Sequence, residues 1–128
     1  MAYRFVPHTA DIAVELRGAD ETALRAAGVL ALRELLVGSS DIRPAERRLI
    51  AASGEDIALR LVRFLGEVLY LYEVDRFVAA RATADGVEGE AFDPGRHAAV
   101  REIKAVTYHD AVIQRTNHEF RVTLVLDV

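Results

Sequence analysis

The hydrophobic period of this chain switches from two residues to about 3.6 and back, twice, and that order limits its fold more than any single motif does. Asp11–Arg17 alternates, with Ile12, Val14 and Leu16 on one face and Ala13, Glu15 and Arg17 on the other, the pattern of a half-buried strand. Asp20 then stands as an N-cap before ETALRAAGVLALRELLV, where Leu24, Ala27, Ala31 and Leu35 recur at helical spacing and Gly38 is a natural stop. This predicts a helix over Glu21–Val37. From Gly54 a second helix is expected, because Ile57, Leu61, Leu65, Val68, Leu69 and Tyr72 share a stripe that Leu59, Phe64 and Leu71 widen.

The rest reads as β. Tyr3–Val6 is a short apolar run, Pro44 interrupts the polar loop SSDIRPAERR, and Arg47–Ala52 reads as a strand. After Asp75 come FVAARATA, the hairpin signal Asp85-Gly86, VEGEAF and the loop DPGRH. Strands are then expected over Val100–Tyr108, Ala111–Gln114 and Phe120–Leu126. Strands, two helices and a closing run of strands predict an α+β fold, with two helices packed on a mostly antiparallel sheet. At 128 residues one domain over 1–128 is expected, able to bury roughly two thirds of its unfolded surface.

The net charge of −4 repels polyanions, which argues against direct binding to DNA or to long RNA. Cysteine is absent, so disulfides, thiolate metal sites and cysteine nucleophiles are excluded. No apolar segment has the length of a membrane span, and MAYRFVPHTAD lacks the pattern of a secretory leader; a cytoplasmic protein is expected. Tyr108-His109-Asp110 holds an acid and a base, but Gly-x-Ser-x-Gly does not occur and the serines are Ser39, Ser40 and Ser53. Neither phosphate-cradling glycine motif is present.

Two segments far apart in the chain carry a resemblance. His8-Thr9-Ala10-Asp11-Ile12, followed by an alternating strand and a helix, is similar to the opening signature of the archease family. Glu102-Ile103-Lys104-Ala105-Val106-Thr107-Tyr108 resembles that family's EVKAVTY segment, and Val125-Leu126-Asp127-Val128 resembles its closing strand. The family commonly has an aspartate before the histidine; here Pro7 stands there and supplies no carboxylate. The resemblance implies an α+β fold and a non-enzymatic partner of an RtcB-type RNA ligase, which joins a 3′-phosphate or 2′,3′-cyclic phosphate end to a 5′-hydroxyl with GTP and manganese. It implies faster guanylylation of the ligase and multiple turnover, in tRNA splicing or RNA repair, with RNA reached only through the ligase. It also implies a divalent cation held by Asp11 and Asp127, with Lys104 beside them and His8 supporting or facing the partner.

The residue types suit that chemistry. Asp11, Asp127 and the α-carboxylate of Val128 are hard oxygen donors, fit for Ca²⁺, Mg²⁺ or Mn²⁺, with Ca²⁺ the ion expected in a crystal. Clustered carboxylates repel one another unless a cation compensates, and Lys104 could be that cation. Each residue also has a plainer use: Asp11 satisfying backbone donors, His8 capping a turn, Asp127 solvated, Lys104 guarding a strand edge. Two other functions stay open. One is a metal-dependent hydrolase on the same carboxylates; the other is a binding module with a deep apolar cavity between helices and sheet.

Overall fold

Each helix starts at an aspartate that takes over a backbone donor the helix cannot satisfy itself. Asp20 Oδ1 accepts from Ala23 N–H at 2.8 Å, and Asp56 Oδ1 accepts from Leu59 N–H at 2.8 Å; such a cap is worth about 1 kcal/mol. The helices they open are α1 (Glu21–Val37), with the bounds its sequence predicts, and α2 (Ile57–Asp75), which begins three residues after Gly54. Arg76 ends α2 in the left-handed region at φ 53°, donating its N–H to Leu71 O. Its guanidinium lies over the rings of Tyr72 and Phe92, at 5.1 and 5.0 Å, contacts that offset the strain of that backbone.

The computed structural model describes residues 2–6, 11–108 and 111–128. Its strands are β1 (Tyr3–Val6), β2 (Ile12–Gly18), β3 (Glu46–Leu49), β4 (Phe77–Ala82), β5 (Gly86–Ala91), β6 (Ala105–Thr107), β7 (Gln114–Arg115) and β8 (Phe120–Asp127). They form two sheets. One runs β1-β2-β8-β6, with β7 also paired to β8, and the other runs β3-β5-β4; every described pairing is antiparallel. α1 packs on β2 and on β4, while α2 packs on α1, β4 and β6. One buried cluster therefore runs from Leu16 and Leu124 through Leu24, Leu61 and Phe64 to Phe77 and Val87. The α+β expectation holds, with the strands divided between two sheets.

Three strands are shorter than their apolar patterns predict. The expected Val100–Tyr108 strand pairs only over Ala105–Thr107, Ala111–Gln114 pairs only at Gln114–Arg115, and Arg47–Ala52 becomes Glu46–Leu49. Residues 98–104 instead form an irregular strap across the end of α1. Val100 N–H donates to Leu36 O at 2.8 Å and Ala98 N–H to Ser40 Oγ at 2.9 Å, so the strap satisfies helix-end groups rather than a sheet.

The β4–β5 hairpin turns one residue before the expected Asp85-Gly86 centre, with Thr83 N–H donating to Gly86 O at 2.8 Å. Gly86 and Gly89 are needed for close approach. A Cβ at Gly86 would lie 2.0 Å from Arg48 O, and one at Gly89 would lie 1.8 Å from Val78 O. Backbone atoms cannot rotate away from such a contact, so Gly89→Ala should destabilise the fold by roughly 3 kcal/mol or more. Urea unfolding checks this; a midpoint within error of the parent would contradict the close approach.

Candidate functional site

Antiparallel pairing of β2 with β8 brings the two acidic positions together. The register runs from Gly18↔Phe120 to Ile12↔Leu126, and one further step sets Asp11, in the bend before β2, opposite Asp127. Directly opposed residues have Cα atoms about 4.5–5.5 Å apart and project to the same face. Asp11 is half-buried and Asp127 is exposed. Asp127 is held on its other side too, where it pairs with Ala105 and its carbonyl accepts Lys104 N–H at 2.7 Å.

Lys104 thus stands beside Asp127 through the backbone. Lys104 is exposed, and its backbone N–H is what ties it to Asp127. Val128 packs against the core next to Asp127. His8 lies outside the described residues. Among the described residues no group of three or more His, Cys, Asp or Glu could hold a metal. The register opposes two carboxylate positions, and carboxylate oxygens are the donor type that hard divalent cations take.

Arg101 was not legible as a site residue. It borders the hollow that Asp11 shares with Phe5, Ile12 and Leu35, at the foot of the strap. Nothing in the alternation around Val100 and Ile103 signals this, because the placement follows from the strap's bonds to α1. Leu24, Leu61, Phe64 and Leu65 fill the space between helices and sheets.

A second polar cluster, also missed, fixes the other end of the strap. His97 has a fully buried side chain; its Nδ1 accepts Asp93 N–H at 2.9 Å, which assigns the ring proton to Nε2, 3.1 Å from Glu90 Oε2. Arg96 also pairs with Glu90, and Arg43 N–H donates to it at 2.7 Å. The Arg96 guanidinium first, then the Arg43 amide, hold the Glu90 carboxyl down at about 2. The histidine and the carboxylate were readable as residues in DPGRH and VEGEAF, but not their meeting.

The comparisons with known proteins agree with this fold. The fold is an α+β arrangement whose β2–β8 register sets two acidic positions, distant in sequence, at one sheet end. The model of the archease protein family (MTH1598/TM1083) matches residues 3–128, and the chain belongs to that family. It is 31% identical to protein archease of Archaeoglobus fulgidus over 137 residues, covering 100% of each, and 36% identical to that of Pyrococcus furiosus over 125 residues, covering 84% of each. Its fold matches the solution structure of Methanobacterium thermoautotrophicum protein 1598 with a TM-score of 0.77 at 24% identity, over 99% of both chains. It also matches the crystal structure of an archease, possible chaperone, from Thermotoga maritima with a TM-score of 0.71 at 21% identity, over 96% of this chain and 94% of that one.

The Glu90 cluster makes a pH prediction. Its folded value lies below the ordinary 4.5, so this carboxylate stabilises the fold above about pH 4.5, and that contribution is lost as pH falls toward about 2. Glu90→Gln should be less stable than the parent at neutral pH and should lose less stability across that window. Acid titrations followed by circular dichroism, parallel for the two proteins, would contradict it.

Proposed function

We propose that this chain is a metal-binding accessory protein of an RtcB-type RNA ligase. In this reading it promotes guanylylation of the ligase and its multiple turnover in tRNA splicing or RNA repair, and catalyses no reaction of its own. The observation that carries the reading is the β2–β8 register, which opposes Asp11 and Asp127 in a chain of the archease family. The likeness to a Thermotoga maritima structure described as a possible chaperone supports an accessory role. No helix among the described residues is long and apolar enough to cross a membrane, which agrees with a cytoplasmic place beside the ligase.

Asp11 and Asp127 would hold the divalent cation, with an oxygen of Val128 beside them. Bound there, the ion supplies a fixed positive charge that lets two carboxylates stand together at a sheet end. The chain's own residues do the rest. Asp127 is fixed by its bond from Lys104 and its pairing with Ala105, Asp11 stands just before the start of β2, and the Lys104 ammonium is left to meet a partner. Formation of a reactive guanylate belongs to the ligase; the net charge of −4 keeps this chain from competing for its RNA.

Asp11→Asn and Asp127→Asn keep the shape of each side chain and remove its charge. Either should abolish stimulation of multiple-turnover ligation by an RtcB-type ligase and remove the calorimetric signal of Mn²⁺ binding, with the circular dichroism spectrum unchanged. Full stimulation by either variant would refute the site.

A further inference from the structure

Between the strap and the C-terminal turn of α2 lies a cleft of about 520 Å³, floored by Leu36 and Ile103 and flanked by Tyr72. That volume is within the roughly 300–1,000 Å³ of ligand-binding clefts. Tyr72 is only 6% exposed, yet its hydroxyl has no hydrogen-bond partner among the described residues. Tyr72 is one of the residues that line the cleft. A buried phenol without a partner is costly unless something donates to it or accepts from it. Water or a ligand atom in the cleft has to serve.

The strap supplies backbone groups in the same place. Val100 N–H is turned inward to Leu36 O, while the N–H groups of Ala99 and Arg101 on either side find no acceptor among the described residues. Val100 is 57% exposed at the cleft rim. Charges of both signs line the cleft, Glu73 on α2 and Arg76 at its end, and Arg101 and Glu102 on the strap. With two carboxylates balancing two guanidiniums, the cleft offers a run of phosphates no net attraction. A peptide, carrying carbonyls, amides and side chains of either sign, can match both.

We infer that the strap–α2 cleft binds an extended peptide segment of the partner protein. Carbonyls of that segment accept from Ala99 and Arg101, and an inserted side chain carries an acceptor for the Tyr72 hydroxyl. This rests on the proposed role as a ligase partner and deepens it. Arg101 borders both this cleft and the Asp11 hollow, so a segment seated here ends beside the acidic pair. The cleft anchors the partner and the acidic pair acts on it.

Hydrogen exchange of the full chain, alone and with an RtcB-type ligase, tests this. Bound ligase should slow exchange in the peptide covering residues 98–104. Val100→Asp and Tyr72→Phe should each raise the concentration needed for half-maximal stimulation of ligation, Val100→Asp by about tenfold. Loss of the acidic pair lowers the plateau instead. Ligase binding that leaves residues 98–104 exchanging as before, or half-maximal concentrations unmoved in both variants, overturns the cleft and leaves the accessory role standing. Neither binding nor stimulation by the parent protein overturns both.

Discussion

The seven antiparallel pairs between β2 and β8 decide where everything functional in this chain lies. They join segments more than a hundred residues apart, and each pair contributes roughly 0.2–1 kcal/mol through side chains that meet across the strands. The register has little freedom. Val14, Leu16, Val122, Leu124 and Leu126 are all buried, and a slip by one residue would turn β8 over, sending Leu126 to solvent and Asp127 into the core. Core packing therefore holds Asp127 opposite Asp11, and the acidic pair needs no attraction of its own to form.

Much of this was legible where short-range physics decides. α1 was readable to the residue because Asp20 and the Gly38 stop bracket an unbroken apolar stripe. β2 and β8 were readable because their alternation faces one core. The alternation was less informative about exposure. Ala13 and Glu15 lie on the polar face of β2 yet are buried, Glu15 beneath Arg4 at 3.2 Å and Arg17 at 2.9 Å, whose guanidiniums hold its carboxyl below the usual value.

What stayed hidden depends on contacts distant in sequence. Val100–Tyr108 reads as one apolar strand, but Leu36 O claims the Val100 donor and Ser40 Oγ that of Ala98 just before it, and only Ala105–Thr107 reaches β8. The same contest explains the site. Asp11, Lys104 and Asp127 were readable from segments resembling one family, and their neighbourhood follows from two pairings onto β8. Arg101 and the Glu90–His97 cluster carry no local signal, since each acquires its setting from the strap's path over α1 and α2.

The central claim is that Asp11 and Asp127 share one divalent cation, and paramagnetic broadening tests it most directly. Mn²⁺ titrated into the isotope-labelled protein should first broaden amide signals near residues 11, 104–105 and 126–128, while those of α2 and the β3-β5-β4 sheet stay sharp. Broadening centred elsewhere, or spread evenly over the acidic surface, would contradict the shared site.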